Sequence, residues 1–90
     1  MLKVKVRQLE GRNGPVKNQF EIETDEGRYF QSYRSIIAFF PVNGGKVVLD
    51  RKTWNYSITT GRYRNIFLDE TKKETEGKIK SGEYELGDLN

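Results

Sequence analysis

The chain has 90 residues, with 16 lysines and arginines against 13 acids and neither histidine nor cysteine. Those counts exclude disulfides, thiolate metal sites and histidine general bases, and they leave a net charge of only +3. A chain this short buries only roughly 60% of its unfolded surface, so nearly every large apolar side chain is needed for the core of one domain.

Leu2, Val4 and Val6 alternate with Lys3, Lys5 and Arg7, the period-two pattern of a half-buried strand. Gly11–Pro15 is a loop by composition. Val16, Asn18, Phe20 and Ile22 alternate with Lys17, Gln19, Glu21 and Glu23 as a second strand. One antiparallel register opposes Val4 to Ile22 and Val6 to Phe20 on a core face. On the other face it opposes Lys3 to Glu23 and Lys5 to Glu21, which makes these lysines structural. Thr24–Gly27 is a tight turn, with Gly27 suited to positive φ. A third strand, Arg28–Tyr33, then places Phe30 opposite Ile22. After a bend at Arg34–Ser35, Ile36–Phe40 reads as an interior strand. Pro41–Gly45 turns the chain and Lys46–Asp50 is the fifth strand.

The period then changes. Thr59, Tyr63, Ile66 and Phe67 form one helical stripe, with Ser57 or Thr59 as its cap. A second helix spans Lys72–Lys80. Thr71 and Glu74 have capping-box spacing there, Glu74–Lys78 and Glu76–Lys80 pair at i, i+4, and Gly82 stops the helix. Tyr84 and Leu86 return as a short edge strand or an extended tail. The expected fold class is α+β: an antiparallel meander of about five strands, one packed helix and a weaker C-terminal helix.

Charge is unevenly placed along these elements. Residues 1–50 carry eight bases and six acids, residues 51–64 four bases and no acid, and residues 65–90 four bases and seven acids. This is neither the uniform positive field of a general DNA coater nor an acidic DNA mimic. The longest apolar run, Ile36–Val42, is far shorter than the about 20 residues a bilayer requires. The N-terminus lacks a signal-peptide core. A soluble, cytoplasmic protein is expected.

The segment Arg51–Arg64, RKTWNYSITTGRYR, holds the only tryptophan, Trp54, together with Tyr56 and Tyr63. Cations interleaved with aromatic rings suit a phosphate-bearing partner. The same residues also suit an amphipathic helix: the periodicity assigns Tyr63 to the core, and Trp54 is expected there because a small domain rarely leaves its only tryptophan outside it. At about 100° per residue, Arg62 and Arg64 sit on opposite flanks of the stripe, roughly 160° apart measured through it. They are therefore not expected to grip one phosphate from a single helix face. The candidate contact residues are Arg34, Arg51, Lys52, Tyr56, Arg62 and Arg64.

Catalytic material is sparse. Glu76 and Lys78 superficially fit a metal-dependent nuclease, but no companion aspartate falls on a core strand. Small basic toxin ribonucleases work with Arg, Lys, Glu and Tyr, yet their order begins strand–helix–helix. Asn43–Gly44–Gly45 is a hairpin turn and not a phosphate loop, Asn55–Tyr56–Ser57 is a bare sequon, and the RNA-recognition sheet motif does not occur in Gly27–Phe40. No cofactor, metal or catalytic residue is assigned.

The runs FQSYRSIIA (Phe30–Ala38), LD (Leu49–Asp50), W-x-YS-x-TTGRYRN-x-FL (Trp54–Leu68) and IKSGEYELGDLN (Ile79–Asn90) resemble a family of small uncharacterised proteins of phages, prophages and mobile elements of Gram-positive bacteria. The resemblance covers residues from about Val16 to the end. It implies a mobile-element accessory protein acting inside a bacterial host cell, and it brings no catalytic residues. The expected function is a non-enzymatic binding module that contacts nucleic acid or a nucleic-acid-handling host protein. The alternatives are an anti-defence inhibitor, such as an anti-CRISPR protein, and a histidine-free ribonuclease. No membrane is involved, and an exposed edge strand offers a route to a dimer.

Overall fold

A computed structural model describes residues 3–90, so the expectation for Leu2 lies outside the described residues. The strands are β1 (Lys5–Gly11), β2 (Gly14–Glu23), β3 (Gly27–Ser32), β4 (Ser35–Pro41), β5 (Val48–Asp50) and β6 (Glu85–Gly87). Two helices, α1 (Ile58–Leu68) and α2 (Lys72–Ser81), lie between β5 and β6. The expected α+β class is correct. The meander is followed by a sixth strand, which runs parallel to β5 in a mixed sheet of order β1-β2-β3-β4-β5-β6. The tail can pair this way because the helical pair carries the chain back before it rejoins the sheet.

Register decides the faces. Thr24 and Gly27 exchange backbone hydrogen bonds around Asp25–Glu26, at 2.8 and 3.3 Å. This brings Glu23 opposite Arg28 and Ile22 opposite Tyr29. The sequence reading paired Ile22 with Phe30, one residue out, and such a slip exchanges the two faces. On one side, Arg7, Glu21, Phe30, Ala38, Leu49 and Leu86 form a row across all six strands. The helices cover this side: Phe67 of α1 stacks on Phe30 with centroids 5.7 Å apart, and Ser32 Oγ meets Thr60 Oγ1 at 2.9 Å. On the other side run Val6, Ile22, Tyr29, Phe39 and Val48. Val6 remains 60% exposed there, so the expected core face of β1–β2 is the open face.

The β1–β2 register is also two residues from expectation, with Val6 opposite Ile22 and Lys5 opposite Glu23. A shift of two keeps apolar with apolar and charge with charge. Arg7, not Lys5, faces Glu21 and forms an ion pair with it, while Arg28 Nη1 reaches the other carboxylate oxygen at 3.2 Å. The core lies between the covered face and the helices. It holds Leu9, Phe30, Ile37, Ala38, Val47, Leu49, Phe67, Leu68 and Tyr84, with Trp54, Tyr63 and Ile79 packed against it.

Ser57 caps α1, its Oγ accepting from the Thr60 amide at 3.0 Å. The buried residues of α1 are Thr60, Arg64, Phe67 and Leu68. Their spacing is the expected stripe moved on by one residue. The move places Phe67 over Phe30 and Thr60 beside Ser32, and turns Ile66 outward. α2 has the expected Thr71–Glu74 capping box and ends at Gly82, with φ 84°. Lys78 pairs with Glu70 at 2.7 Å instead of with Glu74, whose carboxylate caps the Thr71 amide.

Gly27 is a fixed requirement. Its φ is 153°, and an added Cβ would lie 2.3 Å from the Phe40 carbonyl oxygen. Gly27→Ala should therefore cost about 2 kcal/mol or more in urea unfolding, because both the backbone region and the β4 carbonyl resist a side chain.

Candidate nucleic-acid interface

Arg64 projects from the buried stripe of α1 and is only 1% exposed. Its Nη1 donates to the Trp54 carbonyl at 2.5 Å and its Nη2 to Asn65 Oδ1 at 3.1 Å, while the guanidinium lies 5.2 Å from the Trp54 ring centroid. Its Nε is buried with no hydrogen-bond partner. Burial pulls its pKa below the ordinary arginine value, and the charges of Glu70 and Glu76 offset part of that. No carboxylate among the described residues is within ion-pair distance of it. The sequence reading placed Arg64 among the contact candidates; the structure sets its charge beneath the surface.

A groove at the start of α1 is lined by Asn55, Tyr56, Ser57, Ile58, Gly61, Arg62, Arg64, Asn65 and Lys72. Arg62 and Arg64 share it although their Cα directions diverge. The Arg64 guanidinium folds back over the preceding turn, its atoms 3.6–3.9 Å from where a Cβ of Gly61 would stand. A second groove, at the tip of the β1–β2 hairpin, is lined by Arg12, Asn13, Pro15, Lys17, Arg62, Tyr63 and their neighbours. Arg62 belongs to both, so the two adjoin. Neither has aspartate or glutamate among its lining residues.

The remaining candidates are elsewhere. Arg34 is exposed in the β3–β4 turn, Lys52 is exposed after β5, and Arg51 donates to Asp88 Oδ1 at 3.1 Å. None of these three lines either groove. Tyr56, 50% exposed, does. Sequence reasoning missed Arg12, Lys17 and Lys72. No local signal marks them, because they meet Arg62 only through packing of the hairpin and α2 against α1.

Two buried carboxylates support this frame. Asp50 accepts from the Leu89, Lys52 and Thr53 amides and from Thr53 Oγ1 at 2.8–3.1 Å. Its spacing to Thr53 is a legible turn signature. Burial pushes this carboxyl up, but its hydrogen bonds outweigh that and hold it below the ordinary carboxylate value. Glu70 accepts from Lys78 Nζ and Tyr84 Oη, each at 2.7 Å, and from Thr75. Burial again pushes up, the donors prevail, and the carboxyl is lowered. Tyr84, buried and facing Glu70, is pushed up to about 12. Each carboxylate is thus satisfied within its own network. Among the described residues, no cluster of acids suits a metal ion.

A mixed sheet with a helical pair on one face and an acid-free basic surface along its first helix defines this protein as a small α+β chain. Residues 3–83 match DUF8033, a family of unknown function, and the chain belongs to that family. Searches of curated proteins and of solved structures found no match.

Both depressed carboxylates contribute stability that is present above their unfolded pKa values and lost as pH falls through their lower folded values. The melting temperature should therefore hold near neutrality and drop below about pH 4. Glu70→Gln should lower the neutral melting temperature and flatten that drop, as followed by circular dichroism.

Proposed function

We propose that this protein is a non-enzymatic nucleic-acid-binding module that lays a phosphate backbone across the two adjoining grooves beside α1. One observation carries the reading: Arg12, Lys17, Arg62 and Lys72 line two grooves that share Arg62 and have no acid among their lining residues. Phosphates gain from such a surface by releasing counterions, and the exposed Tyr56 ring offers a face for a base. The net charge of +3 suits binding confined to this surface. In biological terms the reading is of an accessory protein of a phage or mobile element, acting in the bacterial cytoplasm.

The alternative, an anti-defence inhibitor, draws support from the open sheet face. There Tyr29 stacks on Phe39 with centroids 4.6 Å apart, and Val4 and Val6 stand more than half exposed. Apolar surface of this kind is what protein interfaces bury. In that case Val6→Lys would abolish inhibition of the host effector and leave oligonucleotide binding unchanged.

Binding of a fluorescent single-stranded oligonucleotide should weaken with salt at a logarithmic slope of about −3, as expected for four neutralised phosphates. The Arg12→Ala, Lys17→Ala double variant should reduce the slope by about 1–2 while leaving the melting temperature unchanged. Absence of binding at low salt would remove the nucleic-acid reading.

A further inference from the structure

Arg64 is costly as a purely structural residue. A buried guanidinium has lost its hydration, and burial is the largest influence on its pKa. Buried arginines are ordinarily compensated by a carboxylate. Here a main-chain carbonyl and an asparagine oxygen take two donors, and Nε–H has no acceptor. The same side chain lines the groove into which the exposed cations Arg62 and Lys72 project. Gly61 lines the same groove, and a Cβ there would lie in ordinary contact with the guanidinium, 3.6–3.9 Å from its atoms.

We infer that this groove is a phosphoryl-anion site, with Arg64 as the buried charge beneath it and Arg62 and Lys72 as its rim. An entering phosphate supplies the missing acceptor to Nε–H and the missing counter-charge to the guanidinium. Charge-assisted hydrogen bonds of this kind are stronger than neutral ones. Reaching the covered Nε requires the anion to displace a neighbouring lining group. The guanidinium stays held through Nη1 by the Trp54 carbonyl and through Nη2 by Asn65 Oδ1. The phosphoryl group comes either from within a nucleic-acid backbone or from a chain terminus. For that macromolecular source the inference rests on the nucleic-acid reading above; for the anion itself it stands on Arg64.

The test follows the arginine Nε–H resonances of the whole chain by NMR during titration with inorganic phosphate, against sodium chloride at matched ionic strength. The Arg64 signal should move saturably with phosphate and stay still with chloride. Arg62→Ala and Lys72→Ala, both at exposed positions, should each weaken phosphate binding about two- to fivefold, the worth of one exposed charged contact. Oligonucleotides with a 5′-phosphate or a 5′-hydroxyl then separate the sources: preference for the phosphate assigns a terminus, and equal binding with movement of Arg64 assigns the backbone. An Arg64 signal that ignores phosphate overturns the inference. Oligonucleotide binding that leaves Arg64 unmoved overturns nucleic acid as the source of the anion while sparing the binding module. Phosphate binding without oligonucleotide binding upholds the anion site and removes the nucleic-acid reading.

Discussion

The pair of hydrogen bonds between Thr24 and Gly27 determines which way every side chain of the first three strands faces. Closing the hairpin on two residues puts Glu21 beside Phe30 and Ile22 beside Tyr29. Phe30 must lie under the helices, because Phe67 stacks on it. Glu21 is thereby drawn beneath the helical layer and needs Arg7 and Arg28 around it. Arg28 in turn lies over both Phe40 and Phe67 and links the ion pairs to the ring cluster. Val6 and Ile22 are left on the open face by the same pleat.

The interior is more polar than the core of a 90-residue chain usually allows. Gln19, Asp50, Thr60, Arg64 and Thr75 are all nearly or fully buried. Most of them anchor one element to another. Asp50 binds the end of β5 to the C-terminal residues, and Glu70 joins the helical pair to the start of β6. In a small domain with few large apolar contacts, such satisfied networks confer uniqueness as well as stability. Arg64 and Gln19 depart from that pattern: Arg64 Nε and Gln19 Oε1 are both buried without a hydrogen-bond partner. Of the two, only Arg64 carries a charge and lines a groove.

The basic surface is assembled from three segments far apart in sequence. The β1–β2 hairpin tip contributes Arg12 and Lys17, α1 contributes Arg62 and the charge of Arg64, and the start of α2 contributes Lys72. Arg51 and Lys52, which belong to the most basic run of the chain, are outside it, and Arg51 is engaged by Asp88. Local charge density was thus a poor guide to where an unopposed positive field forms. Such a field depends on which acids are absent nearby in space.

By itself the sequence determined most of the elements: the alternation of the strands, a cap at Ser57 or Thr59, the Thr71–Glu74 capping box and the Gly82 stop follow from local periodicity and from backbone groups seeking partners. It also showed Tyr56 and Arg62 as contact candidates, and excluded chemistry that needs histidine or cysteine. Tertiary structure alone decided the faces. Register parity follows from turn closure, and helix rotation follows from Phe67 meeting Phe30; neither is encoded by spacing within one element. The burial of Arg64 follows from that one-residue rotation. Arg12, Lys17 and Lys72 joined the groove for a related reason: packing set their neighbours, and a linear charge count does not record distances between elements.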